Sequence, residues 1–126
     1  MKSESAISGI GQIAITVGDV EKSLSFYRDV LGLAFLFSPG PNLAFLAAGG
    51  VRLMLTTPQG VGEAGRNSIL YFKVPDITAA YDNFLERGAV SERPPGMAAK
   101  MPDHELWLAF LRDPEGNLVG LMEERA

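Results

Sequence analysis

The sequence contains no cysteine and only one histidine among its 126 residues. Without cysteine the chain cannot form disulfide bonds, iron–sulfur clusters or a catalytic thiolate. The single histidine, His104, limits imidazole chemistry, because imidazole is the commonest side-chain metal ligand and the usual general base near neutral pH. A site that needs two histidines therefore cannot be built from one chain.

Clustered positive charge and long apolar runs are also absent. The net charge is −4 and the lysines and arginines are scattered, so we expect no nucleic-acid partner. The most apolar run, residues 43–55, is interrupted by glycines and Arg52, and is shorter than the roughly 20 residues of a membrane helix. We therefore expect no membrane partner. The N-terminal residues MKSESAIS lack the features of a signal peptide, which predicts a cytoplasmic protein.

A strand-and-helix pattern occurs twice. Residues 12–17 alternate apolar and small or polar side chains, as in a half-buried strand, and residues 19–31 carry one apolar helical stripe. Asp19 is a good N-cap, and Gly32 is suited to ending the helix. A weaker copy of residues 12–33 follows 57 positions later, over residues 69–90, with Asp76 and Gly88 as cap and end. The repeat predicts two modules that pack together.

Each predicted helix is followed by three predicted strands. In the first half these are residues 33–37, 43–48 and 51–56, with turns at residues 38–42 and 49–50. In the second half, residues 89–92 form a short strand, residues 93–103 a long loop, and residues 106–112 and 118–123 a hairpin around the turn DPEGN. The prediction is an α+β fold of two tandem βαβββ modules, about residues 9–57 and 67–124, in one domain spanning residues 1–126.

Two motifs carry a resemblance to a known family. The first module contains D-x-x-x-S-x-x-F-Y-x-x-x-L-G-L, at Asp19, Ser23, Phe26, Tyr27, Leu31, Gly32 and Leu33, and the last hairpin contains D-P-x-G-N, at Asp113, Pro114, Gly116 and Asn117. These residues resemble the vicinal oxygen chelate superfamily, the glyoxalase, bleomycin-resistance and extradiol dioxygenase group. The resemblance covers about residues 9–124 and implies that the mixed sheets curve into a cup.

The resemblance also implies where a metal would be held. Enzymes of that superfamily take one ligand near the start of the first strand of each module and one from its last strand. The matching positions here are Gln12, Met54, Ile69 and Gly120. A hard divalent cation needs carboxylate, imidazole or water oxygen, and these four residues offer one amide oxygen and one thioether. We therefore predict neither a metal site nor a cofactor.

If the polar side of each strand faces the cup, its walls are mostly apolar with a few polar points, as is typical of a small-molecule pocket. The candidate ligand-binding residues are Gln12, Arg52, Met54, Ile69, Tyr71, Trp107, Gly120 and Met122. The candidate catalytic residue is His104.

Six of these candidates have a structural alternative. Arg52 could bind a carboxylate or phosphate, or extend to the rim as a solvated side chain. Tyr71 could donate to a ligand or to the backbone, and the two methionines could adapt to a ligand or fill the core. Trp107 could stack on a planar ligand or be buried in the core or a dimer interface. His104 could act as a general base, form a gate over the cup, or lie exposed in a loop.

Three functions from different classes remain open. The first is a metal-independent small-molecule-binding protein of the bleomycin-resistance type. The second is a glyoxalase-like lyase, isomerase or dioxygenase-related enzyme that uses His104, Arg52 and Gln12. The third is a dimeric module with a closed cup and no catalysis. The resemblance implies a homodimer.

Overall fold

The computed structural model describes residues 6–57 and 67–126, and within these ranges two modules have the same order of elements. The first module contains β1 (Gln12–Thr16), α1 (Val20–Leu24), a π-helical segment (Ser25–Val30), β2 (Ala34–Gly40), β3 (Leu43–Ala48) and β4 (Val51–Thr56). The second contains β5 (Leu70–Lys73), α2 (Ile77–Glu86), β6 (Val90–Lys100), β7 (Glu105–Arg112) and β8 (Leu118–Arg125).

Each module forms one four-stranded mixed sheet. The strand order is β1-β4-β3-β2 in the first sheet and β5-β8-β7-β6 in the second. The first strand of each module pairs in parallel with the last, and the other pairs are antiparallel. The predicted α+β fold of two βαβββ modules is confirmed. The glycine-rich residues 58–66, predicted to link the modules, lie outside the described residues.

Both predicted helix starts are confirmed. The Asp19 carboxylate accepts a hydrogen bond from the backbone N–H of Lys22 at 3.0 Å, and the Asp76 carboxylate accepts one from Ala79 at 3.1 Å. Each bond satisfies an N–H group that would otherwise lack a partner in the first helical turn. Gly32 and Gly88 follow the two helices with φ angles of 84° and 101°, which favour glycine.

The first predicted helix, residues 19–31, is not a regular α-helix throughout. From Ser25 it continues as the π-helical segment, where the N–H of Leu31 donates to the carbonyl of Phe26, five residues earlier. The wider turn lets neighbouring residues Phe26 and Tyr27 both be buried, with exposed fractions of 5% and 1%. The apolar stripe alone predicts only Tyr27 on the inner face.

Two boundaries of the predicted turns and loops were wrong. Residues 93–103 were predicted as a long loop, but Val90–Lys100 form β6, paired with β7 through several register shifts. β6 is an edge strand whose register shifts between Arg93 and Gly96, so Pro94 and Pro95 lie where the regular hydrogen-bond ladder is interrupted. The predicted turn over residues 38–42 is shorter, because Gly40 pairs with Leu43 and leaves Pro41 and Asn42 as the turn.

A hydrogen-bonded junction joins the two modules. The buried Tyr27 hydroxyl of the first module donates to the Asp113 carboxylate of the second at 2.7 Å. Asn67 accepts from the N–H of Thr16 and donates to its carbonyl, and it also donates to Asn117. We call Thr16, Tyr27, Asn67, Asp113 and Asn117 the module junction. It holds the end of β1 against the DPEGN turn. Among the described residues, no helix has the length and apolar character needed to cross a membrane.

Candidate functional site

Each sheet has an inner face packed on the helices and an opposite face that we call the open face. In β1 and β4, Ile15, Leu53 and Leu55 are buried in the core, and the alternating residues point the other way. The open face of the first module carries Gln12, Ala14, Phe45, Arg52 and Met54, and that of the second carries Tyr71, Lys73, Leu108, Phe110, Gly120 and Met122. These are the faces predicted to line the cup.

A contact cluster lies on the open face of the first module. The Arg52 guanidinium donates through Nε to Gln12 Oε1 at 2.8 Å, and its carbon lies 5.1 Å from the centre of the Phe45 ring. Phe37 stacks on Phe45 with ring centres 4.8 Å apart, and Gln12 Nε2 donates to Met54 Sδ at 3.6 Å. We call these five residues the Arg52 cluster. The structure therefore brings together Gln12, Arg52 and Met54, three of the predicted ligand-binding residues.

Arg52 differs from most other described arginines in its ion pairing. Arg28, Arg112 and Arg125 each contact a carboxylate oxygen within about 3 Å, from Asp29, Glu92 and Glu123 respectively. No carboxylate of residues 6–57 or 67–126 lies within 4 Å of the Arg52 guanidinium. Its Nε and its ring-facing side are occupied, so its two Nη groups are the donors available to a ligand.

The open face of the second module carries a similar cluster. Tyr71 and Phe110 contact edge to face with ring centres 5.8 Å apart, and the Arg93 guanidinium carbon lies 5.3 Å from the centre of the Phe110 ring. The Tyr71 ring covers Gly120, because a Cβ added there would lie 2.6 Å from Tyr71 Cδ2. We call Tyr71, Arg93, Phe110 and Gly120 the Arg93 cluster. The sequence did not predict four residues of the two clusters, because contacts across strands leave no local signal: Phe37, Phe45, Arg93 and Phe110.

The other predicted residues of the second module surround this cluster. Ile69 precedes β5 and is 40% exposed. Met122 is half-buried, lies two residues after Gly120 on β8, and pairs with Lys73. Tyr71, Gly120 and Met122 therefore lie along one side of one sheet, and Ile69 lies just outside it.

His104 lies on the open face of the second module, but near the far end of the sheet. Its Nδ1 is 2.8 Å from Asp103 Oδ1, and its Nε2 is 3.8 Å from Glu124 Oε2. The hydrogen bond with His104 lowers the pKa of the Asp103 carboxyl, and a hydrogen bond from Lys73 lowers that of Glu124. Glu124 is four residues along β8 from Gly120, about 13 Å. His104 is therefore not in contact with the Arg93 cluster.

Trp107 lies on the inner face, opposite Tyr71 and Gly120. It packs against the hydrophobic core, and its Nε1 donates to Glu105 Oε1 at 2.9 Å. Arg125 covers the outer side of its ring, with the guanidinium carbon 4.0 Å from the ring centre. Trp107 therefore packs on the core side of the sheet, which was one of its two predicted alternatives, and lies away from the two clusters.

The residues at the four metal-ligand positions implied by the resemblance do not fit a metal. The amide oxygen of Gln12 already accepts from a guanidinium, whose positive charge opposes a cation at that point. Met54 offers a thioether, Ile69 has no donor, and the Tyr71 ring covers Gly120. Among the described residues, no group of three or more His, Cys, Asp or Glu side chains could hold a metal ion.

A cavity of about 550 Å³ that the sequence did not predict lies between the modules, on their inner faces. Most of its walls are hydrocarbon, including Ile13, Leu31, Leu33, Val51, Leu53, Leu70, Phe72, Val74, Phe84 and Leu121. The edge strand β5 forms one wall, with Tyr71 at the boundary between the cavity and the open face.

Several known proteins are similar to this chain in sequence or in structure. The profile of the Glyoxalase/Bleomycin resistance protein/Dioxygenase superfamily matches residues 9–121. The uncharacterized protein YraH of Bacillus subtilis is 30% identical, over 86% of this chain and 92% of YraH. A probable lactoylglutathione lyase of Vibrio cholerae is 29% identical, over 88% of this chain and 87% of that protein. The structure of TnmS3, an antibiotic binding protein from a Streptomyces species, matches with a TM-score of 0.78 and 25% identity, over 96% of this chain and 99% of TnmS3.

Proposed function

Because the chain belongs to the Glyoxalase/Bleomycin resistance protein/Dioxygenase superfamily, we propose that it is a metal-independent binding protein for a small planar molecule with an anionic group. The ligand rests on the aromatic side chains of the open face, and its anion pairs with Arg52. The similarity to TnmS3, an antibiotic binding protein, supports a binding role.

The observation that carries this proposal is the Arg52 guanidinium, which is held by its neighbours and has no carboxylate partner in residues 6–57 or 67–126. Gln12 and Phe45 hold the group in one orientation without neutralising its charge. Prior ordering of this kind reduces the side-chain entropy that a ligand must overcome on binding. A guanidinium with two free donor groups fits carboxylate, sulfonate or phosphate oxygens, because it can donate two parallel hydrogen bonds.

The donor chemistry at the metal-ligand positions supports the metal-independent part of the proposal. A cation near Gln12 would be repelled by Arg52, whereas an anion would be attracted by it. In this chain, the first-module positions that would hold a metal cation in related enzymes therefore favour an anion.

The proposal is tested with two fluorescent probes that differ mainly in charge: anilinonaphthalene sulfonate and its uncharged analogue, phenylnaphthylamine. Arg52→Met is expected to weaken binding of the sulfonate about tenfold, the equivalent of about 1.4 kcal/mol, and to leave the neutral probe unchanged. Pre-treatment with a chelator is expected to change neither affinity. Fluorescence titration measures the dissociation constant of each probe for the wild-type chain and for Arg52→Met.

Arg28→Met is the matched control, because Arg28 is exposed on the π-helical segment and is paired with Asp29. It removes the same charge from the chain away from the open face. An equal loss of sulfonate binding in Arg28→Met would attribute the effect to net charge and contradict the Arg52 assignment. Failure of the wild-type chain to bind either probe would reject the binding function itself.

We also propose that the chain forms a homodimer. Both outer edge strands are long and expose apolar side chains, with Phe35, Leu36 and Phe37 on β2 and Val90 and Met97 on β6. Exposed apolar side chains grouped in this way favour association with another chain. Sedimentation velocity at tens of micromolar is expected to give a dimer, and a monomer across that range would contradict the proposal.

The enzyme alternative draws support only from the Gln12–Arg52 contact. His104, its proposed proton-transfer group, belongs to the other module and pairs with Asp103 and Glu124 instead. No described contact joins these residues into one catalytic arrangement, so the binding function is the one supported by the geometry.

A further inference from the structure

The second module repeats the arrangement of the Arg52 cluster with different residues. Phe45 pairs with Met54 across β3 and β4, and Phe110 pairs with Gly120 across β7 and β8, so the two phenylalanines occupy equivalent positions. Each has an arginine over its ring, at 5.1 Å for Arg52 and 5.3 Å for Arg93.

Both phenylalanines are buried, but outside the main hydrophobic cluster of the inner faces. Their exposed fractions are 9% for Phe45 and 8% for Phe110, yet neither belongs to the core cluster of the inner faces. On the open face each contacts its arginine and a second aromatic ring, Phe37 in one module and Tyr71 in the other. The repeated unit is thus an aromatic pair with a guanidinium on top.

Arg93 resembles Arg52 in its lack of ionic partners. Across residues 6–57 and 67–126, no carboxylate lies within 4 Å of the Arg93 guanidinium. Its guanidinium lies over the Phe110 ring, where the ring quadrupole attracts the positive charge. Glu92, the residue before Arg93 on β6, pairs with Arg112 instead.

We propose that the Arg93 cluster is a second binding site for a planar anion, separate from the site at Arg52. The Tyr71 ring, 46% exposed, and the Arg93 guanidinium both contact Phe110, and Gly120 beneath the Tyr71 ring leaves room for that ring. An aromatic carboxylate or sulfonate would stack on Tyr71 and accept hydrogen bonds from Arg93. This proposal goes beyond the proposed function, which requires only the first module.

Titration with anilinonaphthalene sulfonate tests the second site directly. The wild-type chain is expected to bind two molecules of the probe per chain. Arg93→Met is expected to weaken one of the two sites about tenfold and leave the other at its wild-type affinity. Arg52→Met is expected to weaken the other site, the one at Arg52. Binding of phenylnaphthylamine should be unchanged in both variants.

A conservative variant separates charge from packing. Arg93→Lys retains the positive charge without the planar guanidinium, and is expected to lose less affinity than Arg93→Met. A stoichiometry of one in the wild-type chain would overturn the second site, as would an equal loss for the charged and neutral probes. Either result leaves the Arg52 comparison intact, so the two proposals fail separately.

Discussion

Replacing Asp113 with alanine is expected to lower the free energy of unfolding by about 3 kcal/mol. The Asp113 carboxylate is 5% exposed and accepts four hydrogen bonds. The donors are the Tyr27 hydroxyl at 2.7 Å, the N–H groups of Glu115 at 2.9 Å and Asn117 at 2.8 Å, and the Asn117 side-chain amide at 2.8 Å. Alanine leaves these donors without their acceptor, and the buried ones lose it where water cannot easily replace it.

Urea denaturation measures this loss, and Asp82→Ala is the matched control. Asp82 is exposed on α2, so its replacement is expected to change the free energy of unfolding by no more than about 0.5 kcal/mol. Equal effects of the two substitutions would contradict the structural role of Asp113. Asp113→Asn keeps the size of the side chain and is expected to lose less than Asp113→Ala, because its oxygen can still accept from the two backbone amides.

Tyr27→Phe isolates the part of this effect that joins the two modules. Burial, reinforced by the negative charge of Asp113, raises the pKa of the Tyr27 hydroxyl, so Tyr27 remains a neutral donor at any ordinary pH. A double-mutant cycle of Tyr27→Phe with Asp113→Ala should therefore give a non-zero coupling energy. Its size reports how strongly the DPEGN turn of one module stabilises the helical segment of the other.

The parts of the fold that could be predicted from the sequence are those determined by local chemistry. The caps at Asp19 and Asp76 and the glycine ends of both helices depend on residues a few positions apart, and all are confirmed. The start of β6 was predicted as the short strand over residues 89–92. Its continuation to Lys100 could not be predicted because Pro94 and Pro95 favour a loop locally, and only the pairing with β7 makes that segment a strand.

The same distinction explains the candidate site. Alternation along β1 and β4 was enough to place Gln12, Arg52 and Met54 on one face. The partners Phe37 and Phe45 come from other strands, and their contacts depend on register shifts in β2 that no local pattern encodes. Register also explains the missed Arg93, which reaches Phe110 only because β6 pairs with β7.

The second large effect concerns Gly120, where any side chain would meet the Tyr71 ring. A Cβ at this position would lie 2.6 Å from Cδ2 and 3.0 Å from Cε2 of Tyr71. Gly120→Ala is expected to lower the free energy of unfolding by about 2 kcal/mol, because the ring must move away from Phe110 or strain the strand. Thermal and urea denaturation measure the loss.

Gly96→Ala is the control for this substitution, because Gly96 also lies in a strand but has no atom within 4 Å of an added Cβ. It is expected to change stability by no more than about 0.5 kcal/mol. Combining Gly120→Ala with Tyr71→Ala should recover stability relative to Gly120→Ala alone, since the clashing ring is gone, and a strictly additive double variant would contradict the clash.

A carboxylate at position 120, the donor type that a metal site would need, meets the same ring. Gaining a metal ligand at that position would therefore require a change at Tyr71 as well.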